Sequence, residues 1–246
     1  MEGAEVLERL NWRVVTIRES KSETPHAKTL VLDVPEWPGH KAGQHVDIRL
    51  TADDGYQAER SYSIASSPQA PDLELTVERL DDGEVSPYLT DEAREGDQFE
   101  LRGPVGGYFV WEADSSRPLL LIAGGSGLVP LMSILRHHQE TGSQADVRLL
   151  LSARTLEDVL YRAELEALRD KLAIRLTLTR EEPPPEWNGF ARRIDREMLE
   201  DVGPGPESHP RVYVCGPTPF VEQAAELLVG IGYEPRTVHT ERFGGA

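Results

Sequence analysis

The run RSYSIASSP (60–68) sets one guanidinium and four serine hydroxyls around Tyr62 and Ile64, an odd composition for a stretch meant only to pack. A second run, LLLIAGGSGLVPLMSIL (119–135), places Gly124-Gly125-Ser126-Gly127 between an apolar segment and a helical pattern. Such a turn lets the chain approach a pyrophosphate closely and aims free N–H groups and a helix dipole at it; it serves equally as a tight strand-to-helix connection. Ser152 and Arg154, then Thr179 and Arg180, put hydroxyls and cations at the ends of two further apolar runs. An acid at the first of these ends would hold the ribose diol of NAD, whereas an Arg favours a 2′-phosphate. No acid occurs there before Glu157. The residues therefore favour NADP, the alternative being ordinary surface arginines beside acidic helices. Cys215-Gly216-Pro217 and Glu241-Arg242-Phe243 complete the set.

Elements must bring these segments together. In the first half, short stretches alternate: Val46, Ile48 and Leu50 against Asp47 and Arg49, and Leu73, Leu75 and Val77 against Glu74, Thr76 and Glu78. That period of two, with further candidates at 12–18, 29–34, 61–65 and 98–102, predicts a small antiparallel β-barrel. The second half has continuous apolar runs: LLLIA (119–123), VRLLL (147–151), IRLTL (174–178), VYVC (212–215) and RTVHT (236–240). Strands buried on both faces look like that, and helical patterns between them predict an α/β doubly wound, five-stranded parallel sheet. The break near Asp114-Ser115-Ser116-Arg117-Pro118 divides the chain into domains 1–114 and 117–246. Parallel strands gather the segments after their carboxyl ends along one edge, where ligands bind. That edge should collect Gly125, Ser126, Gly127, Ser152, Arg154, Thr179, Arg180, Gly216, Pro217 and Glu241-Arg242-Phe243.

The 246 residues are 39% hydrophobic and 28% charged, the composition of a soluble globular protein. A net charge of −17 argues against nucleic acid or an anionic membrane as partner. Residues 1–116 hold 24 acidic and 11 basic side chains, and the remainder 19 and 15, so the halves differ in kind. No run approaches the roughly 18 apolar residues of a membrane span. The start MEGAEVLERLNWRVV lacks a basic segment followed by an apolar one, so a cytoplasmic protein is expected. One cysteine excludes an intrachain disulfide and a four-thiolate cluster held by this chain alone. The seven histidines, His137-His138 included, show no zinc-ligand spacing and read as surface or helix residues.

RSYSIAS (60–66), the Gly-rich turn, YVCGP (213–217) and the terminal ERF (241–243), in that order, resemble the ferredoxin-NADP reductase superfamily of flavin oxidoreductases over nearly the whole chain. The resemblance implies FAD on the barrel and NADP(H) on the α/β domain. Carried over, Arg60 contacts the flavin phosphates, Tyr62 packs on the ring system and Ser63 bonds near N5, with Ser61 and Val77 alongside. An Arg fork, an aromatic face and a hydroxyl suit those tasks. DDGEVSPYLTDEAREGDQFELRGPVGGYF (81–109) resembles the family's second flavin segment and adds Gly83, Val85 and Ser86. Ser86 as cap and Pro87 as first residue predict a helix that Gly96 closes, which is also a common structural device. GPVGG (103–107) fits the turn that closes the barrel.

The implied chemistry is direct hydride transfer from nicotinamide C4 to flavin N5, which needs no acid-base dyad. Ser63, Cys215 and Glu241 are the implied catalytic residues. Cys215 would lie against the nicotinamide, or be only a small core residue. Glu241 would tune proton delivery or nicotinamide position, and Phe243 would shield the flavin ring. Gly244-Gly245-Ala246 follow that aromatic here, a departure from the plant-type pattern. The implied role is a monomeric, stand-alone converter from a two-electron donor to one-electron acceptors, serving a separate ferredoxin or oxygenase component. The acidic first half would slow encounter with an acidic ferredoxin. The alternatives are an NADH-dependent oxygenase reductase, a flavin or ferric reductase, and, in another class, a flavin electron-transfer subunit or redox sensor that does not turn over alone.

Overall fold

The computed structural model describes residues 10–113 and 116–244. Asp114 and Ser115 of the expected boundary, most of the start MEGAEVLERL and the final Gly245-Ala246 lie outside them. Six strands, β1 (Arg13–Thr24), β2 (Ala27–Asp33), β3 (His45–Thr51), β4 (Gln57–Ser63), β5 (Leu73–Glu78) and β6 (Gln98–Val105), pair antiparallel in the order β4-β3-β6-β1-β2-β5. A bridge between Ile64 and Leu75, with the Ala65 N–H on the Glu74 carbonyl at 2.8 Å, closes this sheet into a barrel. Val15, Ile17, Leu30, Ile48, Leu75 and Leu101 fill it, as the period-two pattern requires.

The second body is a five-stranded sheet in the order β11-β10-β7-β8-β9. Its strands β7 (Leu119–Gly124), β8 (Val147–Ala153), β9 (Ala173–Leu178), β10 (Arg211–Pro217) and β11 (Val238–Phe243) are all parallel. Helices α1 (Leu128–Thr141) and α2 (Arg162–Leu168) cover one face, over Leu119, Leu121, Ala123 and Cys215. Helices α3 (Arg196–Val202) and α4 (Thr218–Ile231) cover the other, over Leu120, Ile122, Val212 and Val214. Burial on both sides explains the unbroken apolar runs. The first of these clusters also takes in Ala42, Ala65, Phe109 and Trp111 of the barrel, so one core spans both bodies. Among the described residues no helix is long and apolar enough to cross a membrane.

Three local expectations are corrected. The last strand starts at Val238 rather than Arg236, because Pro235–Thr237 form a 3₁₀ turn, and it continues to Phe243. Glu241-Arg242-Phe243 therefore lie in the strand, not beyond it. Ser86 does not cap the helical run but lies in it, at 86–92: its buried hydroxyl accepts the Leu80 N–H at 3.0 Å, and Tyr88–Glu92 form a π-helical turn. Gly96 does not close that turn, which ends at Ala93 with its N–H on the Tyr88 carbonyl; Gly96 instead serves the tight turn into β6.

Candidate functional site

Strands β3 and β4 build the barrel wall of the site. Their register sets Arg60 opposite Ile48, Ser61 opposite Asp47, Tyr62 opposite Val46 and Ser63 opposite His45. Arg60 and Tyr62 thus share one face and Ser61 and Ser63 the other. Tyr62 packs on the barrel core, and burial pushes its phenol well above the usual range. The half-exposed Arg60 guanidinium lies 3.3 Å from Glu84, whose other oxygen accepts the Tyr56 hydroxyl at 2.7 Å. A single-contact pair this open to water is weak, so the guanidinium is free to exchange the carboxylate for a phosphate. Ser61 donates to Asp47 at 2.7 Å, and Asp47 is gripped by Arg102, so Ser61 serves the wall itself. Val77 and Val85 are fully buried in the barrel core, leaving only their backbone groups to meet a ligand. Gly83 lets the 80–86 loop fold tightly: a Cβ there would lie 2.9 Å from Ser86 Oγ.

The opposite wall comes from β10 and β11. Their register pairs Cys215 with Glu241, Gly216 with Arg242 and Pro217 with Phe243. Cys215, Glu241 and Phe243 share the sheet face that looks toward the barrel, and Phe243 packs half-buried on the shared core. Glu241 Oε1 lies 3.7 Å from His45 Nδ1, and its Oε2 lies 4.0 Å from Cys215 Sγ. Ser63, His45, Glu241 and Cys215 therefore converge at the domain junction. Burial raises the Glu241 carboxyl to about 7. Burial also pushes the Cys215 thiol well up, with the Glu241 charge adding to it, so the sulfur is a thiol and not a thiolate. Desolvation lowers His45, leaving a neutral imidazole beside a titrating carboxyl at neutral pH.

His45 was not among the expected site residues. A lone His in GQHVDIRL has no motif; only the strand register opposite Ser63 betrays it. The expectation of surface or helix histidines is corrected for His239 as well, which stacks on Tyr213 at 4.9 Å and bonds the Tyr108 carbonyl at the same junction. His137 and His138 do lie on α1.

At the sheet edge, the glycines of the β7–α1 turn do different jobs. Gly125 has φ +55° and nothing within 4 Å of where a Cβ would be, so it and the half-buried Ser126 face open space. Gly127 is demanded by packing, since its Cβ would fall 2.0 Å from the Cys215 carbonyl oxygen. Ser152 pairs with Gly124 across β8 and β7. The Thr179 hydroxyl donates to the Ala153 carbonyl at 3.1 Å, and the Arg180 N–H to the Arg154 carbonyl at 2.9 Å, which ties the backbones of the two arginines together. Both are exposed and neither has an ion-pair partner among the described residues. Two nearby acids are occupied, Asp158 accepting the Thr155 N–H and hydroxyl and Glu181 the Leu156 N–H at 2.6 Å, while Glu157 is exposed. Available guanidinium groups, a ring-sized aromatic on the barrel wall and open space over Gly125 fit FAD and a phosphorylated nicotinamide nucleotide. No cluster of three metal-ligating side chains occurs among the described residues.

Residues 15–110 match the family of oxidoreductase FAD-binding domains, and residues 121–226 that of oxidoreductase NAD-binding domains. The chain is 35% identical over 212 residues to ferredoxin–NADP reductase B of Sorangium cellulosum, covering 82% of this chain and 85% of that protein. It is 33% identical over 208 residues to the glycine betaine monooxygenase reductase subunit of Pseudomonas aeruginosa, covering 83% of this chain and 56% of the relative. It thus spans little more than half the length of that oxygenase reductase. A ferredoxin NADP⁺ reductase from Neisseria gonorrhoeae, solved with FAD and NADP, shares the fold at a TM-score of 0.82 and 24% identity, over 95% of this chain and 99% of that one. By barrel, sheet and sequence alike, the chain belongs to the ferredoxin-NADP reductase superfamily of FAD- and NAD(P)-binding oxidoreductases.

Proposed function

We propose that the chain takes a hydride from NADPH onto FAD and passes the electrons singly to a separate acceptor protein, a ferredoxin or an oxygenase component. The observation that carries this is the convergence of His45 and Ser63, on paired barrel strands, with Glu241 and Cys215 on the nucleotide sheet. When bound, the flavin supplies hydride acceptance and one-electron release. In this reading Arg60 holds phosphate, Tyr62 offers a stacking face and Ser63 orients the ring edge. The buried Cys215 thiol shapes the nicotinamide's approach, with no role as a nucleophile. Glu241, raised to about 7 by burial, can gain or lose a proton near neutral pH beside His45.

Arg154 and Arg180 favour NADPH: both are exposed cations without ion-pair partners among the described residues at the ends of β8 and β9, while Asp158 and Glu181 are engaged by backbone N–H groups. The same reading takes the protein as a monomer at work in the cytoplasm, a reducing compartment suited to its buried, unpaired cysteine.

An anaerobic titration tests the reading. FAD-reconstituted protein should be yellow and bleached stoichiometrically by NADPH, and Arg154→Asp should move the NADPH/NADH ratio of kcat/KM toward NADH by roughly tenfold to a hundredfold. A polypeptide that takes up no flavin, or a flavin that neither nucleotide bleaches, would end the proposal. A wild-type preference for NADH that Arg154→Asp leaves unaltered would favour an NADH-dependent oxygenase reductase, in keeping with the glycine betaine relative.

A further inference from the structure

Helix α1 begins at the nucleotide turn and then lies along the flavin domain. Ser133, Arg136, His137 and Glu140 follow at i, i+3, i+4 and i+7 and so form one stripe. Every one of them bonds to the segment Ala65–Gln69, which directly continues the Arg60–Ser63 strand. Ser133 Oγ donates to the Ser66 carbonyl at 2.7 Å and Arg136 to the Ala65 carbonyl at 2.9 Å. His137 meets Gln69 at 2.7 Å, and the Ser67 hydroxyl donates to Glu140.

Arg136 is the hub. Its remaining N–H groups fork onto Glu164 of α2 at 2.7 and 2.9 Å and reach Glu74 of β5 at 2.9 Å. Burial works against its charge, and the two carboxylates more than offset that, so it stays protonated. The other end of α1 is seated as firmly, because Gly127 packs directly on the Cys215 carbonyl. Ile64, between Ser63 and Ala65, is fully buried with its N–H on the Gln44 carbonyl at 3.0 Å. The segment therefore has no slack to absorb a shift. From Gly127 to Ser133 the helix rises about 9 Å. An apolar face would permit sliding; directional bonds to successive residues do not.

We propose that α1 is a strut whose polar stripe sets the separation between the nucleotide turn and the flavin strand, making Ser133 and Arg136 positioning residues for hydride transfer. This rests on the flavin–nucleotide reading above. Both are engaged by protein groups, Ser133 fully buried on the Ser66 carbonyl and Arg136 on Ala65, Glu74 and Glu164. Their effect falls on the rate of transfer, which is steep in distance, and not on nucleotide affinity, which is set at the sheet edge.

The test compares wild type with Arg136→Lys, which keeps the charge but loses the fork, and with the double variant Ser133→Ala/Glu140→Ala. Loss of the Ser133 hydroxyl does not orphan its acceptor, because the Ser66 carbonyl also bonds His40 Nε2 at 3.1 Å. Stopped-flow reduction by NADPH should show the limiting rate of Arg136→Lys falling about tenfold with Kd changed less than about twofold, and the double variant falling about threefold. Pulsed EPR distances between spin labels introduced on the barrel and on the parallel sheet of flavin-free protein should show a changed domain separation in the same variants. Should Arg136→Lys fail to fold, the double variant decides alone. Wild-type rates in the folded variants, or slowed transfer with unchanged separation, would overturn the strut. A wild-type protein that NADPH does not bleach would overturn the functional reading and the strut together.

Discussion

Glu241 is held by burial with its carboxyl raised from an ordinary 4.5 to about 7, and no cation compensates it. A carboxyl with a raised folded pKa binds its proton more tightly in the native state than in the unfolded chain. Its contribution is intact below pH 4.5 and is lost as pH climbs to about 7, so stability slopes downward across that window. Glu241→Gln keeps the shape and removes the titration. Urea unfolding at several pH values should show the slope between pH 4.5 and 7 flattened in the variant; an identical slope in both proteins would place the raised group elsewhere. The pair with His45 also shows why one residue escaped sequence reasoning: its significance lies in a cross-strand register, not in its neighbours along the chain.

At the level of elements, the β7–α1 turn separates two uses of glycine. Gly127→Ala would drive a methyl group into the Cys215 carbonyl, 2.0 Å away, and should push α1 off β10 with loss of the folded state. Gly125→Ala meets no atom, so only its positive φ is penalised, at about 1 kcal/mol. Its methyl would occupy the open space over the turn. Chemical denaturation should therefore separate the two variants sharply, and an NADPH titration of folded Gly125→Ala should show weakened binding. Equal destabilisation would mean that the close approach at Gly127 relaxes. The turn motif was legible as GGSG, but not which glycine is packed and which is open, since that depends on where β10 runs.

For the whole molecule, the proposed function makes charge govern the meeting with an acceptor. The chain carries −17, with the acidic excess concentrated in the barrel half. Many barrel arginines are already spent: Arg49 on Glu100, Arg102 on Asp47 and Arg18 on Asp72. Long-range repulsion should slow an acidic ferredoxin, and salt should relieve it, because the Debye length shrinks to about 10 Å at 0.1 M. Reduction of an acidic ferredoxin should therefore speed up between low and moderate ionic strength, while reduction of a basic haem protein slows down. Opposite trends would require a local basic surface that overrides the total.

Periodicity along the chain was enough to establish a barrel followed by a parallel sheet, because which side chains are buried is written directly into the spacing of apolar residues. The motifs RSYS, GGSG, CGP and ERF, taken in order, carried the resemblance from which their roles were expected. Only tertiary structure brought Ser63 and His45 up to Glu241 and Cys215, moved ERF into the last strand, turned Ser86 to the Leu80 amide and laid the α1 stripe against Ala65–Gln69. Each of these depends on strand register or on the packing of distant segments. Such contacts are selected by the fold as a whole, and no local pattern encodes them.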